Sequence, residues 1–185
     1  GLVRPPNEYM CLHRALEQVF DGNKNTTEHL FHKSVNTTDT SIKELFEKKF
    51  FFARSALKEL NFTNWIAMNP LTEFGETLVG GKNSNICIVT TKNKEATESL
   101  LSHYHIPASK IYTINDIKSE GSKGQLIIKI LDNANEKHAI FVDDATEHLD
   151  TVKDNRVKCY FADWGYGENN GYQVFHPKMW KNYIQ

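Results

Sequence analysis

The apolar positions of this chain follow two regimes that meet near residue 84. From Glu8 to Gly81 they recur at helical spacing. Ile42, Leu45, Phe46, Phe50, Ala53, Leu57 and Leu60 trace one stripe, with Asp39 or Thr40 placed to cap the helix that carries it. Further helices are predicted over 9–20, 27–35 and 71–79, the last stopped by Gly80-Gly81. From Asn85 onward, short apolar runs alternate with helical stretches. Strands are predicted over 86–90, 110–113, 138–142, 157–162 and 172–175, and helices over 95–105, 123–133 and 146–153. Nearly all-apolar strands alternating with helices are the pattern of a parallel sheet covered on both faces. The expected fold class is therefore α/β, a three-layer Rossmann-like parallel sheet with an α-helical cap inserted near the N-terminus. In domain terms, 8–66 form the helical cap, and 1–7 with 67–185 form the α/β core.

Composition narrows the partners. A formal charge of -1, from 22 Lys and Arg against 23 Asp and Glu, leaves no basic excess to release counterions, so nucleic acid is not expected. At 39% hydrophobic residues the chain can bury a core and does not read as disordered. The longest apolar runs, Ile86 to Val89 and Ala139 to Val142, fall far short of the roughly 20 residues that a membrane-spanning helix needs, so no membrane partner is expected. Cys11, Cys87 and Cys159 are odd in number and widely spaced, with the last two in strand-like runs where a thiol serves as a small hydrophobe. The expected compartment is reducing and cytoplasmic, with secretion as an effector left open.

In sheets of this kind reactive groups collect at the carboxyl ends of the strands. The first predicted strand ends in Thr90-Thr91, a hydroxyl and backbone N–H groups suited to a phosphoryl oxygen. Taken alone, a Thr there is equally a strand former or a cap. Lys123, in Ser122-Lys123-Gly124, sits at a helix start and offers a point positive charge, although a single Lys is more often solvated surface. Asp143-Asp144 follow the apolar run Ile140-Phe141-Val142. Two adjacent carboxylates are costly to hold together unless a cation or N–H donors offset their repulsion, which suits a hard divalent ion. The plainer alternative has Asp144 capping the next helix and Asp143 in solvent. His29-x-x-His32 and His103-x-His105 lack a third ligand at matching spacing and do not read as zinc sites. Trp164 and Tyr166 lie near the predicted crevice, where packing at the strand exit is the commoner role and substrate contact the alternative.

A strand ending in Thr, a Lys at a helix start and a strand ending in Asp-Asp, in that order, resemble motifs two to four of the haloacid dehalogenase-like superfamily. Ala162-Asp163-Trp164-Gly165-Tyr166-Gly167 and Phe175-His176-Pro177-Lys178 resemble the segments that follow in its phosphoglycolate-phosphatase-like members, so the resemblance covers about residues 68 to 185. It implies a phosphatase that hydrolyses a small phosphate monoester with Mg²⁺. Thr90 and Lys123 would be catalytic, Thr90, Thr91 and Lys123 would bind phosphate, and Asp143 and Asp144 would hold the metal. The superfamily's first motif, an Asp-x-Asp carrying the nucleophile, occurs nowhere in the 185 residues; Asp21-Gly22 is the nearest approach. Gly1-Leu2-Val3-Arg4-Pro5-Pro6 resembles the stretch that leaves that motif for the cap, which leads us to expect the motif upstream. The alternative is a catalytically inactive binding or regulatory module, for which a protein partner is open.

Overall fold

The computed structural model describes residues 6–19, 24–81, 85–178 and 180. The expected exit segment up to Pro5 and the Asp21-Gly22 pair lie outside the described residues. The chain separates into a helical unit that ends at Ala67 and a mixed unit that begins at Met68.

The helical unit holds a 3₁₀ turn, Pro6–Glu8, and helices α1 (Tyr9–Glu17), α2 (Lys24–Thr37), α3 (Thr40–Leu60) and α4 (Phe62–Ala67). Asp39 caps α3, its Oδ1 accepting the Ser41 N–H at 2.7 Å, so the chain enters the helix where the sequence predicts. The buried face of α3 differs from the predicted stripe. Ile42, Leu45, Leu57 and Leu60 are exposed, whereas Glu47 is buried. Of the predicted stripe, the aromatic members Phe46 and Phe50 are half-buried, and Phe50 meets Tyr9 edge-on at 5.2 Å. Cys11, Ala15 and Phe31 form a separate small core between α1 and α2.

The mixed unit runs α5 (Glu73–Leu78), β1 (Cys87–Val89), α6 (Lys94–His103), β2 (Lys110–Tyr112), α7 (Ile114–Glu120), α8 (Lys123–Ala134), β3 (Ala139–Asp143), α9 (Thr146–Leu149) and β4 (Val157–Phe161). β1 pairs with β2 in parallel, Cys87 opposite Lys110. β3 pairs with β4 in parallel, Ala139 opposite Val157 and Asp143 opposite Phe161. The predicted strand over 172–175 is an isolated parallel bridge of Val174 to Phe161.

These pairings correct the expected fold class. The described residues form two separate two-stranded sheets within a predominantly helical chain, not one Rossmann-like sheet in a three-layer stack. The physical reason is that strand-helix alternation specifies parallel pairing between neighbours along the chain, and both pairs obey it; joining β1 to β3 requires backbone hydrogen bonds, and no described bond does so. The strands are also short, and Cys87 at the start of β1 is exposed where the sequence suggested a small core hydrophobe. Side chains still bring the two sheets onto common ground. Val89 packs against the core of Ile127, Leu131, Phe141, Leu149, Val157 and Phe161, and Ile86 against that of Leu78, Tyr160, Phe175 and Trp180. No described helix is long and apolar enough to cross a membrane.

Candidate functional site

The site is built where α8 begins and β3 ends. Ser122 caps α8, its hydroxyl oxygen accepting the Gln125 N–H at 3.2 Å, which makes Lys123 the first residue of the helix. The Gly124 N–H donates to Thr151 Oγ1 at 2.9 Å, and a Cβ at position 124 would lie 2.3 Å from the Thr151 carbonyl carbon. Only glycine lets the helix start approach this closely. The approach turns Lys123 inward: it is 8% exposed, and its Nζ donates to Asp143 Oδ2 at 2.6 Å. Lys123 is thus a buried ion-pair partner and not a solvated surface lysine.

Asp143 closes β3 and is equally buried, at 8% exposure. Its Oδ1 accepts the Ala145 N–H at 2.9 Å and meets His148 Nδ1 at 3.1 Å. Burial pushes the carboxyl up; the hydrogen bonds and positive charges of His148 and Lys123 outweigh it and hold Asp143 below the ordinary carboxylate value. His148 escaped the sequence reading. Its only signal is position, five residues past Asp143 on the short helix α9 that leaves the strand end.

Asp144 does not cap α9, whose N-cap residue is Ala145. It reaches the loop after β4, where its Oδ2 accepts the Tyr166 N–H at 2.8 Å. That loop folds tightly over it. A Cβ at Gly165 would fall 2.2 Å from the Asp144 side chain, and one at Gly167 1.6 Å from its carbonyl oxygen. Asp143 and Asp144, adjacent in sequence, therefore take different partners, which relieves their mutual repulsion.

Thr90 follows β1. Its N–H donates to the Tyr112 carbonyl at 3.0 Å, and its Oγ1 accepts the Lys92 N–H at 3.1 Å. Among the described residues, no hydrogen bond joins Thr90 or Thr91 to Lys123, Asp143 or Asp144. The structure brings Lys123, Asp143 and His148 into one cluster, with Asp144 beside it, and supports Thr90 separately from β1 and β2. An open groove at α6 and β2, lined by Leu101, His105, Ile106, Pro107 and Ile111 among others, contains none of these residues.

The donor set can be tested against Mg²⁺, which takes one or two carboxylates and completes its shell with water and phosphate oxygens. Asp143 and Asp144 supply two carboxylates of that kind, and the second oxygen of Asp144 has no hydrogen-bond partner among the described residues. No cluster of three or more His, Cys, Asp and Glu that could hold a metal ion occurs among the described residues. Of the two carboxylates, Asp144 keeps one oxygen without a described partner, whereas both oxygens of Asp143 are engaged by Lys123, the Ala145 N–H and His148. No protein-family model, no curated protein and no solved structure matches this chain.

Proposed function

We propose that the carboxyl end of β3 is a phosphate-monoester site of the haloacid dehalogenase type, a Mg²⁺-dependent phosphatase site acting on a small phosphorylated substrate. The observation that carries this reading is the buried Lys123–Asp143 pair, 2.6 Å apart at the strand end where reactive groups of parallel sheets collect. A buried lysine is expensive, and a pair of this kind adds little net stability over apolar residues of the same volume, so its presence asks for a purpose beyond packing. Phosphoryl transfer relies on positioning and charge stabilisation, and these groups supply both. Lys123 opposes the anionic oxygens, Thr90 and Thr91 donate hydroxyl and backbone N–H groups to them, and Asp143 and Asp144 hold Mg²⁺. When bound, the cation neutralises phosphoryl charge. Three free cysteines support work in a reducing, cytoplasmic setting.

A second reading, a site that binds phosphate without turning it over, is favoured by one specific observation. Both oxygens of Asp143 are already bonded within the protein, Oδ2 to Lys123 and Oδ1 to the Ala145 N–H and His148. One experiment separates the readings: calorimetric titration with inorganic phosphate with and without Mg²⁺, followed by phosphate release from phenyl phosphate. Mg²⁺-dependent binding lost in Lys123→Ala, with release that is lost alongside it, supports the phosphatase. Binding without release supports the second reading. Release that survives both Lys123→Ala and Asp143→Asn refutes the site.

A further inference from the structure

One side chain beside this cluster is used by nothing so far. Tyr166 is 79% exposed although it sits in a loop that is otherwise anchored. On one side Trp164 turns inward against Phe74, at 5.8 Å between ring centroids, and Phe175, at 6.1 Å. On both sides Gly165 and Gly167 press on Asp144 more closely than any Cβ permits. The Tyr166 backbone itself is tied to Asp144 Oδ2 at 2.8 Å, while no ring contact or hydrogen bond of its side chain occurs among the described residues. The backbone beneath the ring is thus fixed against one of the two carboxylates, and the ring stands in solvent.

A large aromatic ring held out on a braced backbone forgoes its own burial, but it reaches a ligand with little ordering left to do. We infer that Tyr166 is a specificity-determining residue, a stacking platform for the planar aromatic group of a phosphate monoester whose phosphoryl end lies at Lys123, Asp143 and Asp144. The inference rests on the phosphate reading above and deepens it from phosphate esters in general to aryl or nucleoside phosphates. The link between ring and site is Asp144: the Tyr166 N–H donates to its Oδ2 at 2.8 Å, which fixes the platform to one of the carboxylates assigned to the phosphoryl end.

The test compares dissociation constants for phenyl phosphate and glycerol 1-phosphate, both with Mg²⁺, in the wild type, Tyr166→Ala and Tyr166→Phe. Stacking of this kind predicts that the wild type prefers the phenyl ester about tenfold. Tyr166→Ala brings the ratio of the two constants to about one, whereas Tyr166→Phe keeps it. The side chain is exposed, so both variants are expected to fold, which circular dichroism checks. Two esters binding alike in the wild type, or a ratio unchanged in Tyr166→Ala, overturn the platform while leaving the phosphate site standing. Binding of neither ester overturns both readings together.

Discussion

The buried pair makes an asymmetric prediction. Lys123 Nζ has one described partner, Asp143, whereas Asp143 has three: Lys123, His148 and the Ala145 N–H. Asp143→Asn keeps the shape and strands an ammonium in a site only 8% exposed. Breaking a buried pair by removing one charge costs about 3–5 kcal/mol. The Asn oxygen still accepts from the lysine, which places the expected loss at about 3 kcal/mol, the low end for breaking a buried pair. Lys123→Met instead leaves a carboxylate with two of its three partners, and one charged hydrogen bond is worth roughly 1.5–3 kcal/mol. With the relaxation of His148 toward the carboxylate, about 2 kcal/mol is expected. Urea unfolding followed by amide exchange at β3 and β4 reads the mixed unit specifically, which matters because two units need not unfold together. Both variants within about 0.5 kcal/mol of wild type, or Lys123→Met as the costlier of the two, would refute the partner count and with it the geometry of the cluster.

Acid gives a second handle on Asp143. Its carboxyl is depressed in the folded protein, so the unfolded chain binds the proton more readily; the stabilisation is complete above the unfolded pKa near 3.8 and is lost as pH falls from there through the folded value. Urea midpoints measured across that range should fall steeply for the wild type and less steeply for Asp143→Asn. Gly124→Ala drives a Cβ to 2.3 Å from the Thr151 carbonyl and Gly167→Ala one to 1.6 Å from the Asp144 oxygen. Each should cost about 1–3 kcal/mol in thermal unfolding, as overpacking does, and Gly167→Ala should also abolish the exchange protection of the Tyr166 amide. The Tyr172 hydroxyl donates to Asp150 at 2.6 Å, and this bond, with burial and the Asp150 charge, pushes its pKa up to about 12. Ultraviolet titration should return it toward 10.0, the ordinary value, in Asp150→Asn, and no movement would show that the bond is not formed in solution.

Much of the local structure was legible because it is written in neighbouring residues. Asp39 caps α3 as predicted, and the helix predicted from Lys123 does begin there, behind a Ser122 cap. The apolar runs at Cys87–Val89, Lys110–Tyr112, Ala139–Asp143 and Val157–Phe161 likewise become strands in parallel pairs. What failed depends on distant partners. Whether two edges meet in one sheet is a statement about backbone groups far apart in sequence, and alternation carries no such information. The stripe on α3 holds only in part for a related reason: Phe50 packs on Tyr9, a distant partner, while Ile42, Leu45, Leu57 and Leu60 stay exposed. Helix α7 was missed because Ile114–Glu120 offers too few apolar positions for a period, although Thr113 and Asp116 close a capping box and Gly121, at φ +89, ends it.

At the site, the legible part is the identity of the charged groups and the illegible part is how they divide. Asp143-Asp144 invite a reading in which one cation serves both, since that is the simplest remedy for adjacent like charges. The fold applies a different remedy. Side chains at successive positions of an extended chain leave on opposite sides, so Asp143 enters the core toward Lys123 and His148, while Asp144 turns to the glycine loop. Lys123 thus gives Asp143 an internal counter-charge before any cation binds. Asp143 consequently couples any phosphate function to folding, because a variant that empties its carboxylate weakens both. Asp144 is bonded through one oxygen to a loop amide and sits outside the buried pair. It is the carboxylate that can be neutralised without stranding a buried charge, so Asp144→Asn tests Mg²⁺ involvement with least interference from stability.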